Sequence, residues 1–174
     1  MANTDRAYGF VAKGPLLRIN AYSKDSSMST ALFIGDLAIM ANDGNVEPMV
    51  TTTTTGGCLG ASVCYSAAST ASTAANPIFI SDHTQQLYMA QDDGATTPAQ
   101  TDLGNMVDHV AGAGSTTTLL SGYEIGLGTL GVSTGRVQLL DFVSRPDNAE
   151  DAVNADWVCQ LNVGEGLLTL AAGI

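Results

Sequence analysis

Apolar positions in this chain come in short runs, several of them alternating with polar ones, and turn residues separate the runs. No long segment carries the 3.6-residue apolar period of a helix. "LLRINAY" (16–22) alternates in part and suits a strand. Leu32-Phe33-Ile34 precedes Gly35-Asp36, which predicts a bend or bulge; Leu37 to Met40 follows, ahead of Asn42-Asp43-Gly44, a tight turn that needs positive φ. "LGASVCY" (59–65), "IFIS" (78–81) and "LYMAQ" (87–91) are further short strand candidates, the last followed by the turn Asp92-Asp93-Gly94. "RVQLLDFVS" (136–144) and "DWVCQLNV" (156–163) are the clearest strands and flank the polar loop "RPDNAEDAVNA". Many short strands with Gly and Asx turns predict an all-β fold, a compact barrel or sandwich.

Two stretches interrupt this pattern. Thr51 to Thr55 is a pure threonine run leading into Gly56-Gly57, and "SAASTASTAAN" (66–76) is almost wholly Ser, Ala and Thr. Both read as exposed loops, at 51–57 and 66–76. Threonines zipped onto a sheet edge or a neighbouring chain are the other reading. Residues 1–15 read as an extended N-terminal arm, because Gly9, Gly14 and Pro15 oppose a helix. That leaves 16–174 as a single β-rich domain, and 174 residues suffice for one domain with an arm.

Charge sharpens the division. Only 13% of residues are charged and the net charge is −11, against about 25% charged in an ordinary domain. The six basic residues are Arg6, Lys13, Arg18, Lys24, Arg136 and Arg145, with none between Lys24 and Arg136. A basic leader thus precedes an acidic body. Either sparse charges fall this way by chance, or the leader docks on an acidic partner surface. On the second reading Arg6, Tyr8, Phe10, Lys13 and Arg18 form the partner interface, with the two aromatics as anchors. Tyr8 and Phe10 folded back on their own core are the alternative. The acidic body argues against direct nucleic-acid binding. The polar start "MANTDRAYGF" shows no signal-peptide core, and no apolar run approaches the ~20 residues of a membrane span. A soluble chain made in a cytoplasm is expected. The cysteines Cys58, Cys64 and Cys159 are odd in number, so reduced thiols or at most one bridge are expected.

Candidate chemistry is thin. "HVAGAGSTTT" (109–118) resembles a phosphate loop, but it has no lysine, and Gly112-x-Gly114 lacks the third glycine of a dinucleotide fingerprint. A Gly-rich turn between strands is the simpler reading. Ser81-Asp82-His83 is no triad, since triad members meet through the fold rather than in sequence. His83, His109 and the cysteines show no C-x-x-C or H-x3-H spacing for zinc. Asp147, Glu150 and Asp151, like Asp92 and Asp93, read as solvated turns rather than a Ca²⁺ loop. No enzyme, cofactor or metal is expected.

Three stretches together, "ALFIGDLAIM" (31–40), "DHVAGAGSTTTLLSGYEI" (108–125) and "VQLLDFVSRPDNAEDAVNADWVCQLN" (137–162), resemble the capsid decoration proteins encoded near the major capsid protein of short-tailed and related tailed bacteriophages. Such proteins are also called cement or head-stabilising proteins. "GFVAKGPLLRI" is loosely similar to their opening arm. The likeness covers about half the chain, in order, and its motifs are structural rather than catalytic. It implies a non-enzymatic virion protein on the outer capsid surface, bound to the major capsid protein and to neighbouring copies of itself as trimers or dimers. A head-fibre or tail-associated adhesin, with the Ser/Thr-rich loops facing the host, is the alternative.

Overall fold

A computed structural model describes residues 3–26, 28–41, 43–50, 57–68, 77–132 and 135–162. Its strands are β1 (Val11–Ala12), β2 (Ile19–Tyr22), β3 (Leu37–Met40), β4 (Val46–Pro48), β5 (Cys58–Ser62), β6 (Ile78–Ser81), β7 (Leu87–Gln91), β8 (Met106–Val110), β9 (Glu124–Gly126), β10 (Val137–Phe142) and β11 (Asp156–Leu161). They form two antiparallel sheets packed together, an all-β sandwich. One sheet runs β1-β7-β11-β10-β8-β9 and the other β2-β6-β5-β3-β4. A bridge from Asp92 to Ile125 brings β9 back to the end of β7, so the six-stranded sheet curls on itself.

Alternation decides which side chains face inward. Tyr88 and Ala90 on β7, Trp157, Cys159 and Leu161 on β11, and Val137 and Leu139 on β10 meet Leu37, Ile39, Cys58 and Ala61 of the second sheet. A bulge after Leu139 re-phases β10, so Phe142 also points inward and packs its ring 4.0 Å from that of Trp157. The five-stranded sheet is buried on its other face too. There Ala38, Leu59, Ile78 and Ile80 pack against Met28, Leu32 and Val46. Two-sided burial explains why β5, "CLGAS", is buried at every position and shows no polar alternation. All three cysteines are free thiols, Cys58 and Cys159 buried and Cys64 partly so.

Of the two readings of the leader's aromatics, the structure shows them folded back on their own body. Residues 3–12 are extended, but they run along their own body. Asn3 hydrogen-bonds the loop after β10, donating to the Ala149 carbonyl at 2.9 Å and accepting from the Ala149 amide at 2.7 Å. The Gln91 side chain accepts from the Arg6 amide at 2.7 Å and donates to the Thr4 carbonyl at 3.0 Å. β1 pairs with β7, and the Phe10 ring lies in the main core, 1% exposed. Just before it the chain crosses the Gly35 bend so closely that a Cβ on Gly9 would stand 2.4 Å from the Ser121 Cβ and 2.6 Å from the Gly35 carbonyl oxygen. Gly9 also has φ +74°. Glycine there permits the crossing that delivers Phe10.

The glycine-rich stretch is a turn between strands. β8 and β9 form a hairpin whose connection, 111–123, doubles back tightly. A Cβ on Gly112 would meet the Gly122 carbonyl oxygen at 2.1 Å, and one on Gly114 the Phe33 ring at 2.3 Å. The far side of this loop bonds the other sheet's entry, Ile34 amide to Leu119 carbonyl at 3.0 Å and Ser121 amide to Ile34 carbonyl at 2.9 Å. Its glycines therefore serve close backbone packing between the sheets.

Candidate partner-binding surface

The five residues expected at a partner interface divide. Arg6 reaches Asp147 at 3.3 Å in an exposed pair, which contributes little to stability. Tyr8 donates its hydroxyl to Asp156 at 2.7 Å, and burial pushes its pKa up to about 12. Phe10 is core. Tyr8 and Phe10 thus tie the leader to its own body, while Arg6 stays exposed in its weak pair. Lys13 and Arg18 remain on the surface, and between them the chain is exposed at every residue.

That surface segment turns the corner from β1, the edge of one sheet, to β2, the edge of the other. A single carboxylate fastens it. Asp82, itself 5% exposed, accepts from Arg18 Nε at 2.6 Å, Asn20 Nδ2 at 2.8 Å and the Tyr22 hydroxyl. Burial opposes its ionisation, but the bonds from Tyr22, Arg18 and Asn20 outweigh it and hold its carboxyl below the usual range. The Leu17 amide donates to the Gln86 side chain at 2.9 Å. The latch spends Arg18, so Lys13 is the cation of this corner that stays without it, with Arg6 exposed further back along the leader.

Leu16, Leu17 and Ile19 are 44%, 50% and 42% exposed, and Phe79 41%. In the β2–β6 register Ile19 opposes Ser81 and Ala21 opposes Phe79, so these four share one face of the sheet. Ser81 and Leu16 also line a cavity of about 260 Å³ with Phe10, Val11, Ile34 and Tyr88. An apolar strip thus runs from this groove along a sheet edge that, among the described residues, has no strand beside its outer hydrogen-bonding groups. Sequence reasoning singled out the charges around the strip and missed Leu16, Leu17, Ile19 and Phe79. The signal was three apolar residues within "LLRI", one more than a half-buried strand of that length needs.

The remaining candidates are occupied structurally. The Ser81 hydroxyl is bonded to Tyr88 at 3.1 Å, Asp82 holds β2, and His83 Nδ1 accepts from the Gln85 amide at 3.1 Å. His109 bonds the Met49 carbonyl at 2.7 Å and stacks on Tyr123, and burial lowers its pKa. Among the described residues no group of three or more His, Cys, Asp or Glu is placed to hold a metal, and no helix is long and apolar enough to cross a membrane. The threonine run at 51–55 and most of the Ser/Ala/Thr stretch lie outside the described residues.

No protein-family model, curated protein or solved structure matches this chain.

Two carboxyls give the fold an unusual pH response. Burial raises Asp36 from 3.8 to about 6. Burial, reinforced by Asp5, Asp93 and Asp92, raises Glu124 from 4.5 to about 7. Both bind their proton more tightly folded than unfolded. Folding therefore takes up protons, and the stabilisation is complete below the unfolded values and lost as pH rises through 6 and 7. The contribution of these two carboxyls to the urea midpoint should fall from pH 4 to pH 7 and level off above it. The variant Asp36→Asn should flatten the lower half of that slope, and a midpoint that climbs with pH would refute the assignment.

Proposed function

We propose that this protein is a structural component of a tailed-phage head, bound to the outer capsid surface where it bridges major capsid protein subunits. The observation that carries the reading is the apolar strip Leu16, Leu17, Ile19 and Phe79 on a free sheet edge. Contiguous exposed apolar surface marks an interaction site, and this one is flanked by Lys13 on a chain of net charge −11. A partner with a flat apolar patch rimmed by carboxylates fits it. The three stretches that resemble decoration proteins agree with the reading. They form the β3 entry, the β8–β9 hairpin and the β10–β11 pair, the stiff frame behind the strip. Many copies gripping one shell at once make weak single contacts sufficient.

The test is cosedimentation with heads built from the same phage's major capsid protein and stripped of outer proteins. The chain should saturate the heads in a fixed ratio and raise the temperature at which they rupture. The double variant Leu17→Asp/Ile19→Asp, whose side chains are half-exposed, should fold normally. It should bind roughly tenfold or more weakly, because two central apolar contacts of about 1 kcal/mol each are lost. Undiminished binding by that variant, or binding to host-surface glycans in place of heads, would sink the proposal.

A further inference from the structure

An open sheet edge invites a further strand, and folded chains blunt the edges they do not use. Among the described residues, three of the four edges here are blunted. β1 is two residues long. β4 carries Pro48 and is bridged by Lys24 at Val46. β9 is three residues long, with Ile125 bridged to Asp92. β2 has none of these devices. It makes four consecutive pairs with β6 without a bulge, and it contains no proline and no lysine.

The outward groups of β2 follow from its neighbour. The Phe79 carbonyl accepts from the Val63 amide at 3.0 Å, and the Phe79 amide donates to Cys64 Sγ at 3.2 Å. This residue of β6 therefore turns its backbone toward β5. Ile78 and Ile80, on either side of it, turn theirs toward β2, where they oppose Tyr22 and Asn20. The amides and carbonyls of Ile19 and Ala21 are left facing outward, and both residues are exposed. Beyond Tyr22 the edge is already taken, since the Ser23 carbonyl accepts from the Val46 amide at 2.8 Å. The open part is short, and Asp82 holds it extended through Arg18, Asn20 and Tyr22.

Charge selects the partner. Between Asp5 and Asp25 the chain has no carboxylate, and Lys13 and Arg18 lie just ahead of the open edge. A second copy would set these cations against their like. An acidic partner is repelled by the rest of a chain of net charge −11 and admitted here.

We propose that the capsid partner carries its patch on an edge strand of its own, which pairs with β2 through the backbone of Ile19 and Ala21. Alternation then sets apolar side chains of the added strand beside Ile19 and Ala21, on the Phe79 face, and polar or acidic ones beside Arg18 and Asn20. The inference rests on the capsid reading and adds the mode of contact. Backbone hydrogen bonds supply the grip, and the apolar strip fixes the register.

The variant Ala21→Pro tests it. Proline at this position removes an N–H that bonds nothing in β6, which an edge strand tolerates. The variant should melt with the parent yet bind stripped heads about tenfold more weakly, whereas Ala21→Val should bind at least as tightly as the parent. A folded Ala21→Pro chain that binds undiminished would overturn the proposal. Amide-resolved hydrogen exchange of the unaltered full chain is the second measurement. Free in solution, the Ile19 and Ala21 amides should exchange fast and those of Asn20 and Tyr22 slowly. On saturated heads the Ile19 and Ala21 amides should slow by about 100-fold or more. If both stay fast on heads that Leu17→Asp/Ile19→Asp binds weakly, strand pairing is overturned and the capsid reading stands. Slow exchange at both in the free chain would also overturn it, because another strand, of this chain or of a second copy, then already holds the edge. A chain that does not bind heads at all removes both readings.

Discussion

Replacing Phe10 by alanine will destabilise the fold by about 3–5 kcal/mol, the usual cost of truncating a buried aromatic. The ring is 1% exposed and shares a core with Leu37, Tyr88, Tyr123, Leu127 and Trp157, residues from both sheets. The pinned backbone beside it limits how far the site can collapse. The Phe10 amide donates to the Gly35 carbonyl at 2.8 Å, and Gly9 already touches Ser121. Marginal domains hold about 5–15 kcal/mol in all, so the variant should lose much of its thermal transition or shift it down by many degrees. The same reasoning applies to a chain lacking residues 1–15. A free arm could be removed without harm, whereas this segment takes β1 and a core aromatic with it. Circular dichroism melts of both variants decide the point, and a Phe10→Ala protein that melts with the wild type would remove the leader from the core.

Asp92→Ala should be of comparable severity for a different reason. The Asp92 side chain is fully buried and accepts from the Gly94 amide at 2.9 Å, the Asn154 amide at 2.9 Å and the Ala155 amide at 2.7 Å. Trp157 Nε1 lies at 3.4 Å. Burial raises its pKa, with these donors opposing the rise. Removing the carboxylate takes the acceptor from the buried Ala155 amide and Trp157 indole N–H, at about 1–3 kcal/mol each, and from two half-buried amides. An expected loss of about 3 kcal/mol or more should appear as a lower urea midpoint. Loosened packing of Trp157 against Phe142 should accompany it as a shift in tryptophan emission. Asp92→Asn, which keeps one acceptor, should lie between the two. An alanine variant as stable as the parent would show that water replaces the carboxylate there.

Much of the fold was legible in the chain. "IFIS" and "LYMAQ" are β6 and β7 to the residue, and "RVQLLDFVS" and "DWVCQLNV" contain β10 and β11. Alternation worked where one face meets the core and the other meets solvent. It gave no help for β1, β4 and β9, which are only two or three residues long. Such strands exist because longer neighbours pair with them, and a local pattern cannot record that. β8, "MVDHV", was hidden by its inward histidine, a polar residue whose burial depends on the distant Met49 carbonyl.

The leader's packing was hidden for a related reason. Its glycines were read correctly as breaking a helix, but Gly9 is there to let backbone pass against Gly35 and Ser121. Those partners are 26 and 112 positions away by residue number. Charge singled out Arg18 and not the apolar residues around it. Arg18 lies beside the exposed strip, yet Asp82 holds its guanidinium. The four half-exposed apolar side chains were passed over because apolar residues near a strand are expected to be covered.

The account rests on a leader locked into its own sandwich and a partner meeting the strip beyond it. Hydrogen exchange of the protein free and on saturated heads measures this directly. Protection on binding should appear at residues 13–22 and 78–82, with exchange at 3–10 already slow and unchanged. New protection confined to 3–10, with none along β2 and β6, would contradict it.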